Sequence, residues 1–191
     1  MKKILFTGAT GFLGSNVLPL LRLNYEVETL AFDPNADFNI NLVTDEIILK
    51  KQYDIVLHAA GKAHVVPKTE EEKKQFYDIN YEGTKKLCRA LEQNGVPKSF
   101  IFMSTVAVYG CDIGDLITED HPLDGESPYA KSKIMAENFL KEWCSKNNVV
   151  LTILRPSLIA GKNPPGNLGA MIKGISSGKY LSIAEFNEKR M

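Results

Sequence analysis

Residues 7–14 of the chain read TGATGFLG, and this glycine-rich stretch decides the fold. The apolar run before it predicts a buried strand, and the periodic pattern after it predicts a helix. Gly8 permits a tight turn, Gly11 lets the backbone approach a pyrophosphate, and Gly14 allows the helix to pack closely on the strand. In this context the glycines predict a dinucleotide-binding turn at a helix N-terminus. A plain glycine-rich connection between strand and helix is the alternative.

The rest of the chain alternates short apolar runs with helical patterns. Strands are predicted at residues 3–7, 27–32, 54–58, 99–104 and 149–154. Helices are predicted at residues 12–23, 44–51, about 70–94 and 128–146. This alternation predicts a parallel sheet covered on both faces. With right-handed crossovers it becomes a doubly wound α/β sheet of the Rossmann type.

The pattern changes after Pro156. Residues 161–166 form a loop rich in glycine and proline, and residues 167–177 carry a weak helical pattern. We therefore expect an NAD(P)-binding domain at residues 1–160. Residues 161–191 are expected to begin a substrate-binding lobe that is cut short, and a small cap is the alternative.

The composition excludes several classes of partner. The 191 residues include 23 basic and 23 acidic side chains, so no net field favours nucleic acid or an anionic membrane surface. Cys88, Cys111 and Cys144 are widely spaced without a CxxC pair, which argues against a disulfide framework or a metal site. The first apolar run stops at Thr7, too early for a signal peptide, and no run approaches the roughly 18 apolar residues of a membrane span. We therefore expect a cytoplasmic protein without metal, nucleic-acid or membrane partners.

The end of the second predicted strand bears on the choice of cofactor. Asp33 follows this strand, where sites for NAD often place an acid on the adenosine ribose and sites for NADP offer an arginine. Phe32 occupies a position where such an arginine could stand. The sequence therefore favours NAD and leaves NADP possible. Asp33 with Pro34 also suits the start of a turn, which is the alternative role of this aspartate.

Tyr129 and Lys133 stand four residues apart at the start of a predicted helix. This spacing places both side chains on one face, a turn apart. A tyrosine with its ordinary pKa of about 10 is poorly suited to act as a base at neutral pH, but a neighbouring ammonium favours the phenolate. The pair can therefore act as an acid/base. The spacing is common in helices and does not establish this role by itself.

Thr105 and Ser104 lie where the strand predicted at residues 99–104 ends. Ligands of a parallel sheet bind outside the carboxyl ends of its strands. The Thr105 hydroxyl is therefore expected beside the cofactor crevice, where it can hydrogen-bond a substrate oxygen, and Ser104 is the weaker candidate. The alternative is that both hydroxyls cap the strand end.

Five motifs in order carry a resemblance to a known family. They are TGATGFLG, HAAG at residues 58–61, NYEGT at 80–84, STVAVYG at 104–110 and YAKSK at 129–133. With these motifs the chain resembles the extended short-chain dehydrogenase/reductase superfamily. It is similar in particular to the NAD-dependent epimerase/dehydratase branch, which acts on nucleotide sugars.

The resemblance implies a role for each site residue. Tyr129 would be the acid/base, Lys133 would bind the nicotinamide ribose and tune Tyr129, and Thr105 would orient the reacting hydroxyl. The substrate would contact Thr105, Asn167 and Leu168. The cofactor contacts would come from the glycine turn, the strand ends and the catalytic pair: Gly8, Thr10, Gly11, Phe12, Leu13, Gly14, Asp33, Asn41, Leu42, Ala59, Ala60, Gly61, Asn80, Ser104, Tyr129, Lys133 and Pro156.

The positions of two histidines in the sequence, and two further features of the family, lead to additional expectations. His58 is expected to be structural, and His64 is a candidate substrate contact. Asn41 stands where the family usually has aspartate. Helices of the family often pair into homodimers, here through residues 70–94 and 128–146.

The residues after Thr105 narrow the expected reaction. Sugar 4,6-dehydratases of the family carry an Asp-Glu pair there, whereas this chain has Val106 and Ala107, which cannot transfer protons. The resemblance therefore implies a nucleotide-sugar 4-epimerase that acts by transient hydride transfer. A nucleotide-sugar 4-reductase or dehydrogenase is the alternative within the family. A non-catalytic dinucleotide sensor is the alternative from another class, although such proteins typically lose the Tyr/Lys pair that is present here.

Overall fold

The computed structural model describes residues 1–63, 66–111 and 114–179, and for Asn167 it describes only the backbone. Its strands are β1 (Lys3–Thr7), β2 (Glu26–Ala31), β3 (Phe38–Asn39), β4 (Ile55–His58), β5 (Ser99–Met103) and β6 (Val150–Leu154). Its α-helices are α1 (Phe12–Leu21), α2 (Glu70–Tyr77), α3 (Gly83–Asn94), α4 (Pro128–Lys146) and α5 (Gly166–Ser176). A π turn, Asp78–Glu82, joins α2 to α3, and a 3-10 turn, Val106–Tyr109, follows β5.

The six strands are parallel and lie in the order β3-β2-β1-β4-β5-β6. This is the doubly wound order, in which the reversal between β1 and β4 opens a crevice at their carboxyl ends. The register pairs Thr7 with His58, so both strands end at the same level. The doubly wound α/β sheet predicted from the sequence is confirmed.

Apolar side chains cover both faces of the sheet. Successive side chains of a strand point to opposite faces, so β1 contributes to two separate clusters. Leu5 belongs to the larger cluster together with Leu87 of α3 and Leu140 of α4. Ile4 and Phe6 form the smaller cluster, against which residues of α1 pack. Burial on both sides fixes the strand ends that border the crevice.

The helix predicted at residues 44–51 is wrong, because this segment is irregular in the structure. Asn41, three residues before the segment, starts a turn in which its side chain accepts a hydrogen bond from the Val43 amide at 2.9 Å. Ile47 and Leu49 are 5% and 3% exposed, whereas Ile48 between them is 64% exposed. The apolar run therefore alternates as an extended chain against the core. Over so few residues, periodicity does not separate this arrangement from a helix.

The helix predicted at about residues 70–94 is interrupted by the π turn Asp78–Glu82. The Thr84 hydroxyl donates to the Asn80 carbonyl oxygen inside this turn, at 2.6 Å. A hydroxyl bound to a carbonyl of the preceding turn competes with the regular backbone ladder, and π turns often occur at functional sites. The interruption places Asn80 at the point where the helix changes its winding.

β3 is a two-residue edge strand that the sequence analysis did not predict. The Asp37 carboxylate accepts hydrogen bonds from the amide and the hydroxyl of Thr29, both at 2.8 Å. These bonds bring the residues after β2 back alongside it, and Phe38 then pairs with Leu30.

The chain divides into two compact units, Met1–Ile159 and Ala160–Met191. The first unit contains the whole sheet. Of the second unit the structure describes residues 160–179, which include α5. The assignment of residues 161–191 to a substrate-binding lobe stays a prediction. Over the described ranges, the chain has no helix with the length and apolar character needed to cross a membrane.

Candidate active site

The glycine-rich turn after β1 packs so closely on its neighbours that two positions require glycine. Gly8 has a φ of +72°, and a Cβ there would lie 2.5 Å from the Ala60 amide nitrogen. A Cβ on Gly14 would lie 2.2 Å from the Ala9 carbonyl oxygen. Neither backbone atom can yield without moving the turn or the loop after β4. The glycines therefore keep open a cradle at the crevice between β1 and β4.

The N-terminus of α1 is suited to bind an anion. Its N-cap, Gly11, makes no side-chain cap hydrogen bond, and its first turn carries no acidic residue. The first amides of a helix, here those of Phe12 and Leu13, have no acceptor within the helix. Together with the helix dipole they favour a phosphate group. The cradle and this helix N-terminus fit the pyrophosphate of a dinucleotide.

A buried polar chain links the ends of β1 and β4 to α3. The Thr84 hydroxyl donates its proton to the Asn80 carbonyl, so it can only accept from His58 Nε2, at 2.9 Å. Nδ1 of His58 is then the acceptor for the Thr7 hydroxyl, at 2.5 Å. The Thr7 oxygen in turn accepts a hydrogen bond from the Ala60 amide, at 3.2 Å. The chain holds the loop after β4 beside the glycine turn.

His58 is neutral in this arrangement. Burial, and then the charge of Lys133, lower the pKa of His58 to about 3. Both ring nitrogens are occupied by neighbouring threonines, so the imidazole supports the crevice. This agrees with the structural role expected for it.

Asn80 connects the loop after β4 to the helix that carries the predicted catalytic pair. Its Oδ1 accepts a hydrogen bond from the Lys62 amide at 2.7 Å, and its Nδ2 donates to the Lys62 carbonyl at 3.1 Å. The same Nδ2 donates to Ser132 Oγ at 2.9 Å. Ser132 directly precedes Lys133 in α4. Asn80 thus ties the loop after β4 to α4, and its predicted contact with the cofactor stays a prediction.

Thr105 and Tyr129 meet at the carboxyl end of β5. Ser127 caps α4 by accepting a hydrogen bond from a first-turn amide at 3.1 Å, which places Tyr129 in the first turn. The side chains of Tyr129 and Thr105 lie side by side in the wall of one cavity, close enough for the Thr105 hydroxyl to lower the pKa of Tyr129. Thr105 Oγ1 also accepts a hydrogen bond from the Ala107 amide at 3.2 Å, so it caps the 3-10 turn as well.

Lys133 lies one turn further along α4 and is 4% exposed. Its ammonium donates a hydrogen bond to the Met103 carbonyl oxygen at 2.8 Å and lies 4.6 Å from the centroid of the Phe102 ring. Burial lowers the pKa of Lys133 to about 8, and the Glu137 carboxylate acts in the opposite direction. A Cβ on Gly61 would lie 3.1 Å from Nζ, so the loop after β4 passes close to this ammonium.

The pKa of Tyr129 is raised above its ordinary value. Burial of the phenol raises it, and this effect outweighs that of the neighbouring Thr105 hydroxyl, which lowers it. The ammonium of Lys133 binds the Met103 carbonyl. The lowering of the Tyr129 pKa by Lys133 that the spacing suggests therefore stays a prediction.

Thr105 and Tyr129 line a cavity of about 1030 Å³. Its wall includes Val106 and Ala107 of the 3-10 turn, whose side chains cannot exchange protons. A volume of this order is enough for a small-molecule ligand. Thr105 and Tyr129 are therefore both available to a molecule bound in this cavity.

A sequence profile of the NAD dependent epimerase/dehydratase family matches residues 4–190. The chain belongs to this family. The resemblance based on the five motifs is confirmed, and the NAD dependence of the family agrees with the cofactor favoured by the sequence.

Relatives of this epimerase/dehydratase family member include named 4-epimerases. The N-acetyl-alpha-D-glucosaminyl-diphospho-ditrans,octacis-undecaprenol 4-epimerase of Escherichia coli O157:H7 is 34% identical over 200 residues, which cover 98% of this chain and 58% of the relative. The UDP-glucose 4-epimerase of Vibrio cholerae is 31% identical over 205 residues, which cover 99% of this chain and 61% of the relative. The chain thus spans about three fifths of the length of these curated relatives.

Solved structures of epimerases share the fold of this family member. UDP-glucuronic acid 4-epimerase from Bacillus cereus, in complex with NAD, matches with a TM-score of 0.78 at 22% identity, covering 93% of this chain and 63% of that one. UDP-glucose 4-epimerase from Thermus thermophilus, also in complex with NAD, matches with a TM-score of 0.75 at 26% identity, covering 90% and 60%.

Some predicted cofactor contacts make hydrogen bonds or packing contacts within the chain. Oδ1 of Asp33 accepts a hydrogen bond from the Asn35 amide at 2.8 Å, so this aspartate does start a turn. Leu42 is 7% exposed and packs in the larger core cluster. The Pro156 carbonyl accepts a hydrogen bond from the Val106 amide at 3.3 Å, which fastens the chain after β6 to the 3-10 turn. Their contacts with NAD stay predictions.

The predicted substrate contacts after residue 160 lie in the second compact unit. Leu168 is a half-buried residue of α5, and the Asn167 side chain lies outside the described part of the chain. His64 also lies outside the described residues.

Sequence reasoning missed Glu137, a fully buried acid of α4 that contacts residues next to the site. Its carboxylate forms an ion pair with Arg155 at 2.6 Å and accepts a hydrogen bond from the Ser104 hydroxyl at 2.5 Å. The Ser104 side chain therefore binds Glu137, and its predicted cofactor contact stays a prediction. Glu137 stands four residues after Lys133, which is the one sequence signal that could have pointed to it.

Proposed function

We propose that the chain is the cofactor-binding and catalytic part of an NAD-dependent nucleotide-sugar 4-epimerase. The observation that carries this proposal is the juxtaposition of Thr105 and Tyr129 in the wall of one cavity. Its support is the glycine turn, whose geometry fits a dinucleotide, and the two relatives, 34% and 31% identical, that are named as 4-epimerases.

Residues of the crevice would hold the cofactor at three places. The first amides of α1, from Phe12 and Leu13, would bind the pyrophosphate. Ala59, Ala60 and Gly61 would line the cofactor after β4. Lys133 would bind the nicotinamide ribose.

Each catalytic side chain has one task in this reaction. Tyr129, as a phenolate, takes the proton of a sugar hydroxyl and later returns it to the same oxygen. The Thr105 hydroxyl hydrogen-bonds that oxygen and keeps it within reach of Tyr129. The Lys133 ammonium favours the phenolate through its charge. The NAD held by these residues would supply reversible hydride transfer at the sugar carbon, with return of the hydride to the opposite face. Because proton and hydride both return, no cofactor is consumed.

The 3-10 turn argues against elimination of water as the reaction. Val106 and Ala107 stand where the sugar 4,6-dehydratases of the family carry an acidic pair. Neither side chain can donate or accept a proton, so the loss of a hydroxyl group would have no general acid on this turn. A 4-epimerase needs only the one proton position that Tyr129 supplies.

A sugar diphosphate carried by a polyprenol is a second candidate substrate. The relative from Escherichia coli O157:H7, at 34% identity, is named for such a substrate. Both kinds of substrate present the same sugar hydroxyl to Tyr129, so the proposed chemistry is unchanged. They differ in the group beyond the diphosphate.

A substrate panel tests the proposed function. The purified protein is incubated with NAD and, separately, UDP-sugars, dTDP-sugars and an undecaprenyl-diphospho-sugar, and products are identified by NMR. We expect the 4-epimer to form while the NADH absorbance stays constant. Net formation of NADH with one substrate would instead identify a dehydrogenase. NAD binding without turnover of any substrate would favour the dinucleotide sensor.

We also propose a cytoplasmic homodimer. Cys88 and Cys144 are free thiols in the structure, as expected for a reducing compartment. Met135 of α4 is 40% exposed and offers an apolar contact for a second copy. Light scattering should give twice the chain mass, and Met135→Lys should shift it towards the monomer. A monomeric wild-type protein at high concentration would contradict the dimer.

A further inference from the structure

Glu137 is a buried charge with three donors arranged around it. Its side chain has 0% exposure, and Arg155 approaches it through Nε at 3.1 Å and Nη2 at 2.6 Å. The third donor is the Ser104 hydroxyl, at 2.5 Å. Arg155 Nη1 also donates to the Tyr109 hydroxyl at 2.9 Å. One carboxylate of α4 is therefore bound to residues that follow β5 and β6.

These bonds involve residues that precede and follow Thr105 in the chain. Ser104 precedes it in the chain, and Tyr109 ends the 3-10 turn that Thr105 caps. Glu137 also continues the α4 face of Tyr129 and Lys133, since the three residues are spaced by four. The Glu137 carboxylate thus bonds to Ser104, the residue before Thr105. It also lies one helical turn from Lys133.

Stability alone gives little reason for an ion pair here. Removing two charges from water is costly, and buried ion pairs can often be replaced by apolar residues without loss of stability. We propose that Glu137 is a positioning residue of the reaction, which holds the Thr105 strand end in place and keeps the buried Lys133 ammonium charged. This inference rests on the proposed function, because both residues act in that reaction.

The charges around Lys133 explain the second part of this role. On α4 it lies between Tyr129 and Glu137, and from β4 it is approached by His58, which is neutral. Burial lowers the pKa of Lys133 to about 8, and the Glu137 carboxylate works against this lowering. Loss of the carboxylate therefore lowers the pKa further. The ammonium is then lost at a lower pH, and its support of the Tyr129 phenolate is lost with it.

The test compares Glu137→Gln with Glu142→Gln, which removes an exposed carboxylate from the same helix. We expect Glu137→Gln to lower kcat roughly tenfold to a hundredfold, by analogy with outer partners that orient metal ligands, with KM changed far less. The alkaline limb of the kcat profile should also move to lower pH. Glu142→Gln should leave kcat and the alkaline limb of its pH profile unchanged. A folded Glu137→Gln protein with the wild-type profile would overturn the inference.

A direct titration separates this inference from the proposed function. The ¹³Cε shift of Lys133, assigned by its loss in Lys133→Met, is followed against pH in both glutamate variants. A lower midpoint in Glu137→Gln supports the role of the carboxylate even if no substrate of the panel turns over. An unchanged midpoint contradicts it even if the wild type is an epimerase.

A charge-conserving variant covers the case in which Glu137→Gln does not fold. Glu137→Asp keeps the carboxylate but draws it back by one methylene group. The midpoint of the Lys133 titration should stay near that of the wild type. The kcat should fall, because the shorter side chain no longer holds Ser104 at the end of β5. A midpoint that falls despite the conserved charge would overturn the electrostatic role.

Discussion

At the scale of the residue, the phenol oxygen of Tyr129 decides whether a proton can move. Tyr129→Phe removes this oxygen and leaves the ring, so the packing should persist. We expect turnover to fall roughly a hundredfold to ten-thousandfold, the usual contribution of a general acid/base. NAD affinity, measured by fluorescence titration, should change little. Tyr25→Phe, in the apolar cluster on one face of the sheet, is the control and should keep full activity.

The glycine turn gives a second prediction at this scale. Gly8→Ala places a methyl group in a left-handed backbone and against the Ala60 amide. Gly178→Ala has a similar φ of +67° with open space around it, so it isolates the backbone cost of about 1–2 kcal/mol. We expect Gly8→Ala to lower the free energy of unfolding by a further 1–3 kcal/mol or so, and to weaken NAD binding. If urea unfolding gives equal losses of unfolding free energy for Gly8→Ala and Gly178→Ala, the close packing of Gly8 on Ala60 does not contribute.

At the scale of the element, His58 is buried in β4 and bonds to β1 and α3. The packing of these three elements therefore depends on pH. The pKa of His58 is about 3 in the folded chain, well below the roughly 6.5 of an unfolded histidine. The stability that comes from keeping it neutral is fully present above about pH 6.5 and is lost as the pH falls towards 3. The slope for one group is at most about 1.4 kcal/mol per pH unit.

His58→Gln tests this linkage, because glutamine does not titrate. The variant should be less stable than the wild type at neutral pH, since the bonds to Thr7 and Thr84 are disturbed. Its free energy of unfolding should nevertheless fall less steeply between about pH 6.5 and pH 4. His121→Gln, at a histidine outside this polar chain, should keep the wild-type slope. Urea unfolding over a pH series measures the three slopes, and equal slopes would contradict the assignment.

Helices and strands could be predicted where an apolar pattern repeats over many residues or where clear signals mark the ends. The helix from Pro128 carries a long pattern that begins after its Ser127 N-cap, and the strand at Lys3–Thr7 ends at the glycine turn, so both have the predicted extent. The segment 44–51 has too short an apolar run to fix its period, so its predicted helix failed. β3 depends on a bond from Asp37 to a residue eight positions away, which no local pattern contains.

The same distinction applies to the candidate site. The sequence was sufficient to predict Thr105, Tyr129 and Lys133, because their residue types and their spacing indicate acid/base chemistry. Glu137 could not, because its burial and its partners arise from contacts over 33 positions to Ser104 and 18 positions to Arg155. Such contacts exist only after the strands are placed side by side.

At the scale of the whole molecule, cofactor binding is linked to unfolding. A ligand that binds only the folded chain stabilises it by about 2.7 kcal/mol at a concentration of 100 Kd. The Asp33 carboxylate after β2 is the predicted partner of the adenosine ribose, and it would repel a phosphate on that ribose. We therefore expect NAD to raise the melting temperature more than NADP at equal concentration, as measured by thermal unfolding.

Asp33→Asn isolates the charge in this comparison. Asparagine can still accept the hydrogen bond from the Asn35 amide through its Oδ1, so the turn should persist. Without the negative charge, the difference between NAD and NADP should shrink, mainly because NADP stabilises the variant more. Asp115→Asn, an exposed aspartate of the described chain, should keep the wild-type difference. If Asp33→Asn keeps it too, this aspartate acts only in the turn, and the preference for NAD must arise elsewhere in the crevice.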